Sequence, residues 1–254
     1  MSSLQVTWAI AERSLKLIPR VPSTFVPSLV MPLFLTIAFA GAFSGLVLLP
    51  GFPADKAVDW FIPMTGLQGC AFAGITTGMA IARDLENGFF DRFLLSPAPR
   101  NAILAGPLLA SMLRAFFPIV LILTVAVIAR AHFYGGITGV LTFVVAGLGL
   151  ALAGGGWAVG LALKFKTFQI APLMQMGVFL TIFLSTAQMP LHLIGGWLHD
   201  VARFNPMTNV LELARQGFLG EVAWETTWPG LVSVAGIAAV LVLFARRQMS
   251  KVIP

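Results

Sequence analysis

The sequence has few charged residues and almost no cysteine, and these shortages exclude several classes of protein. Charged residues make up 10% of the 254 positions, whereas soluble domains carry about 25%. The single cysteine, Cys70, lies in an apolar run, so the chain by itself can build neither a disulfide nor a cysteine metal site. No Gly-x-x-x-x-Gly-Lys-Ser/Thr loop and no His-Glu-x-x-His motif occurs, which leaves no recognisable nucleotide-phosphate loop, catalytic centre or metal site.

Long apolar runs dominate what remains. Hydrophobic residues make up 58% of the chain, in continuous runs without the alternation of strands, so we predict an all-α integral membrane protein forming a single domain over residues 1–254. A helix needs about 20 apolar residues to cross a bilayer. Six runs meet this length, and the predicted transmembrane helices are residues 23–49, 60–82, 109–129, 137–163, 168–189 and 228–244.

Lysine and arginine are distributed unevenly between the two sides of this topology. Eleven of them flank the spans on the side of both termini, and four lie on the other side. Because cytoplasmic loops carry the excess of basic residues, both termini and the loop 83–100 are predicted to be cytoplasmic, in a bacterial plasma (inner) membrane, with the first span retained. The net charge of +6 is then explained by lipid and topology, and we expect no nucleic-acid partner.

Residues 3–18 form the pattern of an amphipathic helix before the first span. Leu4, Trp8, Ala11, Leu15 and Ile18 fall on one stripe, and polar residues fill the other sector. This pattern predicts an interfacial helix, with its apolar face in the lipid boundary and its basic face toward the headgroups.

The loop 83–100 is a charged segment between two apolar spans. Asn87 is a plausible N-cap, and the three phenylalanines and two leucines that follow give a short helix that is aromatic on one side. Three phenylalanine rings facing water would be unfavourable, so we expect this side to contact a soluble partner. The predicted contact residues are Glu86, Gly88, Phe89, Phe90, Asp91, Arg92, Phe93, Leu94 and Leu95.

Polar residues inside the second and fifth spans are candidates for a substrate path. They are Thr65, Gln68, Thr76, Gln175, Thr181, Ser185 and Gln188. Hydrogen bonds between helices are an equally good explanation for such residues. Arg114 is the one ionised residue within a span. It lies close to the cytoplasmic end of that span, which favours an interfacial or structural role, with the side chain extending toward the headgroups.

The region 190–227, between the fifth and sixth spans, contains a second amphipathic pattern. Asn205 and Pro206 predict the start of a helix whose apolar stripe ends near Phe218. Glu212 and Arg215 are expected toward its wetter side.

Two motifs resemble those of a known family. Glu86-x-Gly88-x-x-Asp91-Arg92-x-Leu94-Leu95-x-Pro97-x-x-Arg100 resembles the cytoplasmic loop between the second and third spans of ABC-2 type exporter permeases, particularly the daunorubicin-resistance-like multidrug efflux branch. Residues 189–218, with a Trp-Leu pair, Asn-Pro and a helix ending in Arg, resemble the pattern that this family has between the fifth and sixth spans. Gly195-Gly196 departs from it, since many relatives have proline there.

The resemblance implies a function that the residues alone do not. The loop 83–100 would contain a coupling helix, around Gly88 to Leu95, that docks on a separate ATP-binding cassette subunit. That subunit, in two copies, would hold ATP and Mg²⁺, and this chain would hold no cofactor. Residues 190–227 would form extracellular re-entrant helices, and a second permease copy or close homologue would complete the transporter.

The expected activity is ATP-driven export of a hydrophobic or amphipathic small molecule, with no enzymatic activity in this chain. Export of a polysaccharide or lipid-linked glycan is the alternative within the family. A membrane-embedded lipid-modifying enzyme and a passive membrane anchor are rivals from other classes. The enzyme would need a cluster of Asp, His or Cys at one membrane depth, and the sequence shows none.

Overall fold

The computed structural model describes residues 3–16, 22–90 and 99–252, which fold into helices with no β-strand among them. In chain order the helices are α1 (Ser3–Lys16), α2 (Pro22–Ala42), α3 (Ala57–Glu86), α4 (Arg100–Ile128), α5 (Gly136–Phe165), α6 (Ala171–Phe183), α7 (Trp197–Phe204), α8 (Pro206–Leu219) and α9 (Trp224–Val252). Short 3-10 helices lie at Ser44–Leu48, Phe168–Ile170 and Leu191–Leu193. The all-helical prediction is therefore confirmed for the described residues.

Helix α3 lies at the centre of the bundle, because α2, α4, α5, α6 and α8 all pack against it. Of its 30 residues, 22 are buried. The approach to α5 is so close that a Cβ atom on Gly74 would meet the backbone of Ala151 and Gly155. Small residues at this crossing let the two helix backbones pack directly against each other, as is common between membrane helices.

Among the described residues, three helices are long and apolar enough to cross a membrane: Asn101–Ile128, Gly136–Phe165 and Trp224–Val252. Two shorter apolar helices are Ser28–Ala42 and Phe168–Phe183. The predicted span 60–82 forms most of α3. This helix is less apolar because it contains glycine, threonine and glutamine residues, and its neighbours shield these residues from lipid. These helices support a membrane-embedded protein, and the count of six spans stays a prediction.

The helical part of two predicted spans is shorter than the sequence suggests. In the span 168–189, helix α6 ends at Phe183 after 13 residues, a length of about 20 Å at 1.5 Å per residue. This is less than the bilayer core of about 30 Å. In the span 23–49, α2 ends at Ala42 and the 3-10 helix Ser44–Leu48 follows.

The two ends of the bundle carry different elements. Helix α1 packs against α4 near the end where α3 finishes and α4 begins, and we call this the α1 end. Helix α8 packs against α5, α9 and α3 toward the opposite end, which we call the α8 end. The helix predicted from Asn205 onward is α8, and the Asn205 side chain accepts a hydrogen bond from the Met207 backbone N–H at 2.9 Å, as an N-cap does.

At the α8 end, side chains fix the start of α3 to the connection between α4 and α5. Asp59 is buried, accepts a hydrogen bond from the His132 backbone N–H at 3.0 Å and contacts the His132 Nδ1 at 2.8 Å. Lys56 Nζ donates to the Arg130 carbonyl at 2.6 Å. The Gly135 backbone N–H donates to the Gly217 carbonyl of α8 at 2.9 Å. These contacts join α3, α5 and α8 into one frame.

Candidate functional site

The segment that follows α3 begins with an exposed polar turn at the α1 end. Glu86, Asn87 and Gly88 are exposed, and Gly88 has a φ of +67°, which favours glycine. Glu86 Oε1 accepts hydrogen bonds from the Phe168 backbone N–H at 2.7 Å and the Thr167 hydroxyl at 2.8 Å. These bonds, the first more than the second, lower the pKa of Glu86 from its usual 4.5. The turn is thereby fixed to the connection between α5 and α6.

The first phenylalanines after this turn face the chain itself. Phe90 is 3% exposed and belongs to a buried cluster with Ile81 of α3 and Ile103 of α4. The Phe89 ring is half-buried beneath Arg13 of α1, whose guanidinium carbon lies 4.4 Å from the ring centroid. The expectation that these rings face outward is therefore wrong for Phe90, because the ends of α3 and α4 form an apolar pocket that accommodates its ring.

Five further predicted contact residues lie outside the described residues. They are Asp91, Arg92, Phe93, Leu94 and Leu95. Their contact with a partner stays a prediction, as does that of Glu86, Gly88, Phe89 and Phe90.

Helix α1 is joined to the end of α3 by an ion pair. Arg13 donates to the two carboxylate oxygens of Asp84 at 3.1 and 3.4 Å. Ile10 of the same helix is buried, whereas Leu4 and Trp8 are 80% and 56% exposed. One side of α1 therefore packs on the bundle while another keeps Leu4 and Trp8 exposed. Ala11, which was predicted on the lipid-facing stripe with them, is fully buried, and the interfacial position of the helix stays a prediction.

Arg114 of α4 is held in the interior of the protein. The residue is 4% exposed. Its Nη1 donates to the Thr76 hydroxyl at 3.0 Å and the Thr77 hydroxyl at 3.4 Å. Nη2 donates to the Ser14 carbonyl in the last turn of α1, where helix carbonyls lack an intrahelical partner. The structural role is thus favoured, and the guanidinium caps α1 instead of extending to the headgroups.

The candidate path residues of α3 are buried at contacts between helices. The Thr65 hydroxyl lies 2.6 Å from the Thr36 hydroxyl of α2, and Thr76 donates to the Ala73 carbonyl at 2.7 Å while accepting from Arg114. For these two threonines the described contacts match the alternative of interhelical hydrogen bonding. Gln68 is fully buried, and neither polar atom of its amide has a hydrogen-bond partner among the described residues.

The candidate path residues near α6 are divided between its surface and its interior. Gln175 and Thr181 are exposed, Gln188 is half-buried and Ser185 is buried. The Thr181 hydroxyl donates to the Gly177 carbonyl at 2.7 Å, and the Ser185 hydroxyl donates to the Ile182 carbonyl. The structure therefore does not gather the seven predicted residues around one polar cavity.

An apolar cavity of about 220 Å³ lies between α6 and the helices α5 and α9. Thr181 is the one predicted path residue in its wall. The Trp157 indole Nε1 donates to the Met174 carbonyl at 3.2 Å, so the polar atom of that side chain is already satisfied. The lining residues are Ala71, Leu150, Ala153, Gly154, Trp157, Gly177, Val178, Thr181, Ile182, Met207, Ile237 and Leu241.

Arg215 of α8 is a buried cation that the sequence reasoning placed wrongly on the wetter side of its helix. The residue is fully buried, and its guanidinium carbon lies 3.5 Å from the centroid of the Trp60 ring. Nη2 donates to the carbonyls of Thr186 and Ala187 at 3.1 and 3.3 Å. Arg215 lies four residues after Leu211 and three before Phe218, on the apolar stripe itself, which was the available signal for its burial.

In the part of the chain that the structure describes, no three His, Cys, Asp or Glu side chains lie together in an arrangement that could hold a metal ion. The contact between His199 and Asp200 at 3.4 Å is an exposed pair of neighbours in the chain. His192 lies 2.9 Å from the Gly51 carbonyl, to which it links the segment after α6.

The long apolar helices and the buried interhelical polar contacts are features of a helical membrane protein. Comparison with known families agrees: residues 5–219 match the family described as ABC-2 type transporter. The chain belongs to this family.

Two curated relatives are named as permeases. The chain is 25% identical over 215 residues to the "Probable multidrug ABC transporter permease YbhR" of Escherichia coli K12, an alignment that covers 81% of this chain and 58% of the relative. It is 22% identical over 226 residues to the "Daunorubicin resistance ABC transporter permease protein DrrB1" of Streptomyces coeruleorubidus, covering 86% of this chain and 77% of the relative. The chain thus spans little more than half of YbhR. Permeases of this kind are membrane transport subunits and not themselves enzymes.

Proposed function

We propose that this chain is the membrane-spanning subunit of an ATP-driven exporter of hydrophobic or amphipathic small molecules. Two copies of an ATP-binding subunit bind ATP and Mg²⁺, and a second permease copy or close homologue completes the transport path. The chain crosses a bacterial inner membrane six times, with the α1 end in the cytoplasm. The observation that carries the proposal is the exposed turn 86–88 at the α1 end, which is connected directly to three other parts of the chain.

These connections make the turn suited to transmit a displacement. Glu86 connects it to the start of the α6 segment through Phe168. Phe90 anchors it between α3 and α4. Phe89 lies under Arg13, which also pairs with Asp84 and so includes α1. A partner that pushes on the turn would therefore act on α1, α3, α4 and α6 together.

The nature of the cavity supports an apolar cargo. Its lining has no charged side chain and a single aromatic residue, Trp157. Sugar-binding sites use several aromatic faces and many free hydrogen-bonding groups, which this lining does not offer. The names of the two relatives, which refer to multidrug transport and daunorubicin resistance, point in the same direction.

The coupling proposal can be tested by placing a bulky side chain on the exposed turn. We expect Asn87→Trp to reduce co-purification with the ATP-binding subunit by about tenfold, equivalent to about 1.4 kcal/mol of binding. Ser250→Trp is the matched control, because Ser250 is exposed near the end of α9. The proposal fails if Asn87→Trp retains both full co-purification and full substrate-stimulated ATPase activity.

A further inference from the structure

Helix α6 ends within the protein and leaves backbone carbonyls that need partners. The helix stops at Phe183, and the last carbonyls of any α-helix have no intrahelical partner. In a membrane-embedded region each unsatisfied carbonyl costs several kcal/mol, so broken helices occur there only where the protein supplies donors. The identity of these donors decides what holds the end of α6 in place.

Two side chains from the α7–α8 region supply the donors. Asn205 Nδ2 donates to the carbonyls of Thr181 and Leu184 at 2.8 and 2.9 Å. Arg215 Nη2 donates to the carbonyls of Thr186 and Ala187. Four carbonyls between residues 181 and 187, two at the end of α6 and two in the turn that follows it, are thereby satisfied by one amide and one guanidinium.

Most residues of α6 are not buried. Of its 13 residues, Ala171, Met174 and Ile182 are buried, and the 220 Å³ cavity lies along one side of it. By contrast, α3, α5 and α8 are joined to one another at the α8 end by the Asp59–His132 and Gly135–Gly217 contacts, which do not involve α6. Further contacts hold α6 and the segment that follows it, among them Trp157 Nε1 with the Met174 carbonyl, the Thr186 hydroxyl with Glu212, and His192 with the Gly51 carbonyl.

The electrostatics of Arg215 allow this attachment to be reversible. Its bonds are to neutral carbonyls in the turn that follows α6. Its charge is balanced within α8 by Glu212 at 3.2 Å, whose side chain is 38% exposed and also accepts a hydrogen bond from the Thr186 hydroxyl at 3.3 Å. Separation of α6 would therefore leave the ion pair intact, and no buried charge would lose its partner. Loss of a partner is what makes the breaking of a buried ion pair costly. Trp60 would still support the guanidinium from α3.

We propose that Arg215 and Asn205 form a latch that holds the α8 end of α6 against the frame of α3, α5 and α8, and that its release opens the apolar cavity toward the α8 end. The latch is defined by Arg215, Asn205 and the carbonyls of Thr181, Leu184, Thr186 and Ala187. This inference rests on the proposed transport function, since a latch of this kind controls the exit of the cargo. Arg215 is a positioning residue, which acts through α6 and not by contact with the cargo.

Cysteine accessibility tests the latch without the need for ATP-binding subunit, cargo or transport. The chain has one cysteine, Cys70, which is fully buried. Labelling of an introduced cysteine can therefore be measured with little labelling of the native one. Ala187→Cys is the reporter because Ala187 is fully buried beside Arg215. Ala57→Cys is the control because Ala57 is buried at the start of α3, within the frame.

In protein reconstituted in nanodiscs, we expect Arg215→Met to raise the labelling rate of Ala187→Cys by a membrane-impermeant maleimide about tenfold, and to leave Ala57→Cys unchanged. Arg215→Lys should give a smaller rise, because an ammonium keeps the charge but loses the planar fork. Asn205→Asp provides a second variant should Arg215→Met fold poorly, because it keeps the oxygen that accepts from the Met207 amide and loses the nitrogen that donates to Thr181 and Leu184.

The outcome separates the latch from its rivals. An equal rise at both cysteines would indicate general loosening, and no rise at Ala187→Cys in Arg215→Met and Asn205→Asp would show that packing alone holds α6; either result overturns the latch. If the labelling result holds but the exporter fails to couple to an ATP-binding subunit, the proposed function falls and the structural latch remains.

Discussion

Replacement of Arg114 by lysine is expected to loosen α1 from the bundle while the charge is kept. Arg114 bridges two helices with two nitrogens, Nη1 to Thr76 of α3 and Nη2 to Ser14 of α1. A lysine ammonium is a single point and cannot occupy both positions, so at least one hydrogen bond to a charged group is lost, worth about 1.5–3 kcal/mol. Since about 1.4 kcal/mol corresponds to a tenfold change in an equilibrium constant, local opening of α1 should increase about 10- to 150-fold.

Hydrogen exchange measures this opening directly, because amide protection reports the free energy of local unfolding. The amides of α1 from Ile10 to Lys16 should exchange faster in Arg114→Lys by that factor, while those at the centre of α5 keep their protection. Arg246→Lys is the matched control, since Arg246 is exposed on α9. A change of less than about twofold in α1 would refute the reasoning, because it would mean that packing of Ile10 and not the guanidinium secures the helix.

Two further predictions concern the packing of α3 and the turn at its end. Gly74→Ala should lower the free energy of unfolding of the solubilised protein by about 1–3 kcal/mol, because its Cβ would meet the backbone of Ala151. Gly236→Ala on α9, where nothing lies within 4 Å of the added Cβ, should leave the free energy of unfolding unchanged. The depressed pKa of Glu86 means that its bond to the Phe168 amide is fully formed above about pH 4.5 and is lost as pH falls through the lower folded-state pKa. The protection of the Phe168 amide, measured against the intrinsic exchange rate at each pH, should therefore fall only below pH 4.5, and a loss of protection near neutral pH would contradict this account.

Much of the architecture could be predicted from local pattern. Continuous apolar runs indicated membrane helices, and Asn205 followed by Pro206 indicated the start of α8. Periodicity indicated the amphipathic helix α1. Each of these features depends on residues within a few turns of one another, so the sequence carries the whole signal.

The positions of the polar residues could not be predicted in the same way. Arg114 was expected to extend toward the headgroups, and Arg215 toward water, yet both are buried. Arg114 donates to a carbonyl that lies 100 residues away in the chain. Arg215 donates to two carbonyls that lie 29 and 28 residues away. No local pattern encodes such a pairing, because a carbonyl becomes an acceptor only where another element happens to end.

The sequence by itself therefore determined the class of protein: an all-helical membrane chain with motifs that resemble those of ABC-2 permeases. Only the tertiary structure decided that Phe90 is buried between α3 and α4, and that the fifth apolar run breaks at Phe183. It also decided that Arg114 satisfies a carbonyl at the end of α1 and that Arg215 satisfies two carbonyls in the turn after α6. The physical reason is that apolar burial follows from composition and periodicity, whereas each buried polar group must find a specific partner, and that partner is fixed by how the helices pack.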